Sequence, residues 1–520
     1  MVRQNWISRV FFIACIAIFF VYGSAPLFLP KPAPVSVPND QFSAERALQS
    51  VRVLAQSPRV TGTQGMERAV SYLVEVLRTC NLSPEIQDTT FQNRNLHNII
   101  VRIPGIQPGN AVLIVSHVDS VSYGAGDNAT GAAVLTELAC NLQAGKLPNN
   151  DVILLFEDGE EDGYLGGYAF AKADASISSI HRVIGMDTAA WGPVVLLQTT
   201  PGNSDFVRAY ASSVPDPTAF GFFADADWNI SHDTSEIQPF YERSIPGLEL
   251  EDPTAFSGKH SEKDTVDNIN PGAMQQMGEQ VLALTRFLGD SDLSRSTGSN
   301  QSYFTLWGLG VVHYPSNCNI VAAILSIVAI TGLTVKKIQQ KSVTWHLTIN
   351  FALLLFLAFV GTAIIGLAAS VIFEKLFPNP NPQTGSYLIA ASLPFFLAVN
   401  LITTISFLFI RDKLVKRLGS MPGIIAGMLC WFILAITTAL LLQVGSYIFT
   451  IPLLFVIGVS ILPTKIKYAR FIPAIVATVL FTPNVVLAYL GTGQQTLVLV
   501  TLFVAMDSEL WAEAYSDFST

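Results

Sequence analysis

Two patterns of apolar residues divide the chain. Between Gln41 and about Gly289, short apolar runs alternate with longer stretches of helical spacing. Ala111–Val115, Asp151–Phe156 and Val183–Met186 read as buried strands, because they are short, apolar and bounded by polar or turn-forming residues. Glu67–Arg78 carries Val70, Leu73, Val74, Val76 and Leu77 at helical spacing. Gly131–Leu142 predicts a helix with Thr130 as its N-cap, and Pro271–Leu288 a closing helix with Pro at its start. Strands alternating with helices predict an α/β domain: a mostly parallel mixed sheet with helices on both faces.

Beyond Tyr303 the pattern changes. Long apolar stretches occupy Asn317–Val335, His346–Phe373, Tyr387–Ile410, Met421–Leu442, Ser446–Leu462 and Phe471–Leu490, with a shorter one at Gln495–Met506. Several reach the roughly 20 residues that cross a bilayer. Buried core helices would not keep so many runs almost free of charge, so an α-helical multi-span membrane domain is predicted. Near the N-terminus, Val10–Tyr22 is apolar behind Arg3 and Arg9 and reads as an anchor in preference to a cleaved signal peptide. The expected organisation is an anchor over 1–29, a Pro-rich linker over 30–40 and a soluble domain over 41–289. A second linker over 290–316, a membrane domain over 317–506 and an acidic tail over 507–520 follow.

Charge sharpens this division. The 520-residue chain has a net charge of −9, with 13% charged and 50% hydrophobic residues and a mean hydropathy of +0.43. Phe304–Met506 holds 11 Lys and Arg against Glu374 and Asp412, whereas Val10–Tyr303 is strongly acidic. Such an acidic domain excludes nucleic acid as an expected partner; the bilayer is the expected one, and the sequence leaves the oligomeric state open. The basic clusters Lys336–Lys341, Arg411–Arg417 and Lys465–Arg470 fall in alternate loops and are expected on the cytosolic side, with Arg3 and Arg9. The acidic domain is then expected on the far, non-cytosolic side of the membrane. No two of the five cysteines have metal-ribbon or redox spacing. Cys80 and Cys140 share the soluble region, but spacing does not show proximity, and a bond between them is not expected.

Five segments hold the candidate chemistry: Ser116-His117-Val118-Asp119, Gly126–Gly131 containing Asp127, Glu160-Glu161, Met186-Asp187, and His260 followed by Asp264-Thr265. Three of these follow apolar strands, and ligands of open α/β sheets collect beyond the carboxyl ends of strands. His117, Glu160, Glu161 and Asp187 can therefore converge from distant positions. Carboxylates that dense repel one another unless cations lie among them, and two histidines with three carboxylates suit Zn²⁺. Taken singly, His117 is as readily a satisfied loop histidine, Asp127 a helix cap, Glu160 and Glu161 a solvated turn, and His260 a surface residue. Their joint order on these elements favours a metal centre. A further acidic run, Glu249, Glu251 and Asp252, is expected at the surface.

The same five segments, in order, resemble the di-zinc exopeptidase family, which includes secreted bacterial leucyl aminopeptidases and glutamate carboxypeptidase-like proteins. The resemblance covers about Phe42–Leu288. An anchored domain of this kind followed by several spans is similar to the branch of vacuolar membrane proteases and endoplasmic reticulum metallopeptidases. The resemblance implies two Zn²⁺ ions, one on His117 and Asp187, the other on Glu161 and His260, with Asp127 bridging. It implies Glu160 as general base and Asp119 as the residue that fixes the His117 tautomer. His232-Asp233-Thr234 and Phe240 resemble a less constrained segment near the site. The implied function is a membrane-anchored aminopeptidase acting on peptides. A carboxypeptidase, using Lys259 or Arg243 to hold a substrate carboxylate, and a transporter or receptor with a peptidase-like binding domain are the alternatives.

Overall fold

The computed structural model describes residues 14–226, 228–229, 235–294, 298–376, 385–462, 467–492 and 497–519. Arg3, Arg9, Lys465 and His232-Asp233-Thr234 lie outside the described residues. The chain divides into two compact units. One comprises Leu27–Phe220 and Asp227–His313; the other gathers the residues up to Pro26, Gly221–Ala226 and Tyr314–Thr520.

Among the described residues the first unit contains nine strands or parts of strands. They are β1 (Glu85–Phe91), β2 (Arg94–Ile103), β3 (Ala111–His117), β4 (Asp151–Glu157), β5 (Ile180–Met186), β6 (Val195–Thr199), β7 (Gly247–Glu251), β8 (Gln301–Leu306) and β9 (Gly310–Pro315). The first seven form one sheet in the order β1-β2-β4-β3-β5-β7-β6, and β8 and β9 pair separately. β4, β3, β5 and β7 are mutually parallel, while β1 with β2, β2 with β4, and β6 with β7 run antiparallel. The sheet is thus mixed, with a parallel centre. Every residue of β3 is buried, as a central strand covered on both faces requires.

The helices of this unit are α1 (Ala44–Leu54), α2 (Gln64–Thr79), α3 (Gly131–Ala144), α4 (Leu165–Ala173) and α5 (Ser204–Ser213), then, beyond α6 (Gly221–Ala226) of the second unit, α7 (Gln238–Tyr241) and α8 (Pro271–Gly289). α1, α3 and α8 pack on one another, and α3 and α8 also touch β3. On the other face Leu113, Val115, Leu155 and Val183 form a core with Phe170 of α4 and Phe240 of α7. Alternate strand residues thus supply the two faces.

Two local expectations are corrected. Thr130 is not the N-cap of α3: it has helical φ/ψ, and no side-chain cap bond is made from it. The Gly131 N–H is instead accepted by Asn128 Oδ1 at 2.7 Å, and the Thr130 hydroxyl donates back to the Gly126 carbonyl at 2.7 Å. Cys80, at the end of α2, and Cys140, within α3, form a disulfide with their Cα atoms 5.3 Å apart. Helix packing brings together two residues that are 60 positions apart.

The second unit is helical. After α6 come α9 (Asn317–Gln339), α10 (Trp345–Leu376), α11 (Gly385–Leu418), α12 (Ser420–Leu441), α13 (Tyr447–Ile461), α14 (Ile472–Thr492) and α15 (Leu497–Ser519), together with the N-terminal helix Ala14–Leu27. Five stretches among the described residues are long and apolar enough to cross a membrane: α9, α10, Leu393–Leu418, α12 and Ala469–Gly491. Their large exposed apolar side chains, such as Leu325, Val328, Leu357 and Leu401, fit a hydrocarbon surrounding. α6 belongs to this unit through Asp225, whose carboxylate accepts the Val444 and Gly445 N–H groups at 2.8 and 3.0 Å.

Candidate metal centre

Four segments at the carboxyl end of the sheet converge with the Gly258–Asp264 loop. His117 is the last residue of β3 and stands in register with Glu157 of β4. Glu160 and Glu161 lie in the turn that follows β4, and Asp187 immediately follows β5. Asp127 lies in the irregular turn Ala125–Thr130 that leads into α3. Gly124 enters this turn with φ +56°, and a Cβ there would collide with the Asp127 carbonyl. Only glycine fits that position without displacing the loop.

Asp127 stands between the two histidines. His117 Nε2 is 3.3 Å from Asp127 Oδ1, and His260 Nε2 is 3.1 Å from Oδ2. His117 Nε2 is also 3.4 Å from Asp187 Oδ1 and 3.8 Å from Glu160 Oε2. His260 Nε2 lies 2.9 Å from Glu161 Oε2. His260 has φ +60°, a sparsely populated conformation for a residue with a Cβ. All seven sequence-predicted residues are brought together, with Asp119 behind the others. Asp119 Oδ1 lies 3.4 Å from His117 Nδ1, and its carboxylate also accepts the Glu160 and Glu161 N–H groups, each at 3.1 Å.

Electrostatics shows how strongly the charges of this cluster depend on one another. Burial alone would lower the His117 pKa, but Glu160 and contacts with Asp119, Asp127 and Asp187 raise it well above the ordinary histidine value. Hydrogen bonds to Asp127 and Glu161 push His260 up to about 10. Burial, reinforced by Asp187, Asp119 and Asp127 against the opposing pull of His117, pushes Glu160 up to about 8. For Asp127 burial acts upward, yet the two histidines and Lys259 hold it well below the usual carboxylate range. Protons on imidazole thus stand where cations would satisfy the carboxylates. Glu161 Oε1 is buried and accepts no hydrogen bond. Two triads of metal-ligating type occur among the described residues: Asp127, Glu161 and His260, and His117, Asp187 and Glu236. A histidine with carboxylates in each is a donor set that fits zinc.

The surroundings hold residues that the sequence reading missed or misplaced. Glu249, Glu251 and Asp252, expected at the surface, are buried. Glu249 and Glu251 lie on β7, which pairs with β5 on one side and β6 on the other, so the pleat carries their side chains into the interior. Glu236 joins His117 and Asp187, and burial, Glu249 and Asp187 raise its pKa well above the carboxylate range. Its only signal in the sequence is its nearness to His232–Thr234. Lys259 Nζ lies 3.5 Å from Asp187 Oδ2 and 3.8 Å from Glu251 Oε1. Arg243, by contrast, is exposed. Arg59 is buried behind the site, donating to the carbonyls of Val118 at 2.7 Å, Tyr123 at 2.9 Å and Gly124 at 2.8 Å.

Residues 98–285 match the family described as Peptidase family M28. This chain carries a peptidase family M28 domain. The domain includes every residue of the cluster. The chain is 27% identical over 345 residues to endoplasmic reticulum metallopeptidase 1 of Mus musculus, covering 58% of this chain and 37% of that protein. It is 29% identical to putative endoplasmic reticulum metallopeptidase 1 of Schizosaccharomyces pombe, covering 52% of this chain and 37% of the relative. A vacuolar membrane protease of Candida tropicalis is 27% identical over 39% of this chain and 23% of its own length. The matched stretch therefore spans little more than a third of the longer-covered relatives. Among solved structures, a Zn-dependent exopeptidase from Parabacteroides distasonis is similar at 19% identity, over 48% of this chain and 99% of that one, with a TM-score of 0.38.

Proposed function

We propose that the protein is a membrane-anchored, zinc-dependent exopeptidase, an aminopeptidase, that removes N-terminal residues from peptides. The observation that carries this reading is the Asp127 carboxylate, with one oxygen toward His117 and the other toward His260. Such a carboxylate can serve two cations at once, with His117 and Asp187 on one side and Glu161 and His260 on the other. Two zinc ions held there would polarise the scissile carbonyl and acidify the attacking water.

The chain's own residues supply the proton transfers. Glu160 reaches the cluster without belonging to either triad. It is the group to accept the proton of the attacking water and return it to the leaving amine. Asp119 holds both Glu160 and Glu161 by their backbone N–H groups, so base and ligand keep their different directions although adjacent. A carboxypeptidase would need a cation available to a substrate carboxylate. Lys259 is already engaged by Asp187 and Glu251, and the acidic surroundings suit a substrate α-ammonium group instead.

In this reading the catalytic unit faces the non-cytosolic side of its membrane. Support comes from the basic loops that alternate along the apolar region and from the Cys80–Cys140 disulfide, a bond that persists in oxidising compartments. Purified full-length protein, assayed for bound zinc and against matched aminoacyl and N-blocked peptides, tests the proposal. Turnover of the free-amine substrates, lost on chelation and restored by zinc, is expected. Equal cleavage of N-blocked peptides would refute the aminopeptidase assignment.

A further inference from the structure

The helical unit contains a cavity of about 460 Å³ that the peptidase reading does not use. Its wall is built by α11, α14, α15 and the N-terminal helix, with Phe481, Val485, Phe503 and Trp511 among the lining side chains. One carboxylate, Asp507 of α15, lines it, and no Lys, Arg or His does so among the described residues. α15 is apolar up to Met506 and turns acidic from Asp507, with Glu509, Glu513 and Asp517 following, and a carboxylate that faces an apolar cavity within a helix bundle is costly. Its presence calls for a partner.

The protein supplies part of that partnership, through the Thr478 hydroxyl and the Trp511 indole N–H, both of which reach the Asp507 carboxylate. Asp507 forms no ion pair among the described residues. Thr478 Oγ1 lies 3.0 and 2.9 Å from the two carboxylate oxygens, but the hydroxyl has one proton for both. The same hydroxyl is 2.9 Å from the Ala474 carbonyl and accepts the Trp511 indole N–H at 2.9 Å. A carboxylate has about four acceptor positions, so capacity is left on the cavity side. The volume falls within the range of pockets that enclose a small organic ligand.

We infer that this cavity binds a long-chain amine: an apolar tail against the aromatic and aliphatic wall, and one ammonium group on Asp507. Among the described residues no cation lines the cavity, and this favours one amine source over another. An ethanolamine phospholipid brings a phosphate, which would find no basic partner here, whereas a simple long-chain amine brings no anion. The bilayer delivers such a molecule directly, since its tail partitions into the hydrocarbon around the exposed helix faces.

The test uses the full-length protein in phosphatidylcholine nanodiscs, with radiolabelled hexadecylamine as the probe and hexadecanol of the same chain length as its uncharged counterpart. Saturable binding of about one hexadecylamine per chain is expected, with hexadecanol about tenfold or more weaker, as for loss of a charge-assisted hydrogen bond. Asp507→Asn should abolish this preference while leaving hexadecanol binding unchanged. Ala512→Phe, which keeps the carboxylate but fills the cavity, should weaken the amine by a similar factor and carries the test if the Asn variant fails to fold. Equal affinity for amine and alcohol, or undiminished amine binding in either folded variant, would overturn the inference. So would competition by phosphatidylethanolamine as strong as by hexadecylamine itself.

Discussion

Asp119 holds Glu160 by its backbone: the Glu160 N–H donates to Asp119 Oδ1 at 3.1 Å, and the neighbouring Glu161 N–H takes the other oxygen at the same distance. The Asp119 carboxylate also lies 3.4 Å from His117 Nδ1. One buried side chain thus orients a candidate base and two candidate ligands. Asp119→Asn keeps one acceptor oxygen and replaces the other by a donor facing an N–H. Activity or zinc affinity should fall by about 10–100-fold, the usual effect of disturbing groups behind a metal site. Steady-state kinetics with zinc titration would show it; wild-type values in both would mean that Asp119 positions nothing.

Glu160 separates binding from chemistry. It approaches His117 yet belongs to neither metal-ligand triad. Glu160→Gln removes the proton acceptor while conserving size. Zinc content should be retained and kcat should fall by roughly 10²–10⁴-fold. If turnover persists near the wild-type rate, another group is the base.

Metal binding should release protons. In the metal-free chain His260 holds its proton up to about pH 10, and Glu160 up to about pH 8. Zinc requires a neutral imidazole, so apparent zinc affinity should rise with pH through the range below about 10. Calorimetry at pH 7.5 in buffers of different ionisation enthalpy should give a net release of at least about one proton per chain; zero release would contradict the assigned ligands. The stability of the metal-free protein follows the same shift. The raised His260 pKa contributes stability that is fully present below the unfolded value near 6.5 and is lost as pH rises through about 10. Chelated protein should therefore melt at lower temperature at pH 9 than at pH 6.5 as far as this group decides.

The sequence makes the centre of the sheet legible, and the reason is physical. β3, β4 and β5 are covered on both faces, so their apolar runs are continuous and end abruptly in His117, Glu157 and Asp187. β1 escapes notice because its residues are exposed or half-buried along its whole length, leaving no apolar face to read. β7 misleads in the opposite sense: Gly-Leu-Glu-Leu-Glu alternates like a surface strand, yet all five residues are buried. Burial of Glu251 is offset by Lys259, and that of Glu249 by a hydrogen bond with Glu236, whose pKa is raised so that the pair shares a proton; no local pattern announces either contact. The Cys80–Cys140 bond and the role of Arg59 depend in the same way on segments meeting across the fold.

Arg59 is the buried brace of the loop after β3. Its guanidinium serves carbonyls of Leu54, Val118, Tyr123 and Gly124, and burial draws its pKa down to about 10. Arg59→Leu would leave these buried acceptors without their donors, at a cost of about 1–3 kcal/mol for each that water cannot reach. A clear loss of thermal stability is expected, together with weaker zinc binding, because Asp119 and Asp127 flank the braced loop. An unchanged melting temperature would show that solvent replaces the guanidinium.

The side of the membrane is the last point open to test, and two independent features bear on it. Lys336, Lys337 and Lys341 follow the first span after the M28 domain, and Arg3 and Arg9 precede the apolar N-terminal segment. Basic residues close to span ends tend to remain cytosolic, so the proposal puts the intervening domain on the opposite side. That domain is too long for its own acidity to steer it. The disulfide speaks separately, since cytosolic thiols are kept reduced whereas Cys80 and Cys140 are bonded. In sealed vesicles with the cytosolic face outward, a protease should leave a tag near Gly289 intact until detergent is added. A membrane-permeant maleimide applied without reductant should leave Cys80 and Cys140 unlabelled. Digestion of the tag in intact vesicles, with both cysteines reactive, would reverse the topology and move the substrates to cytosolic peptides.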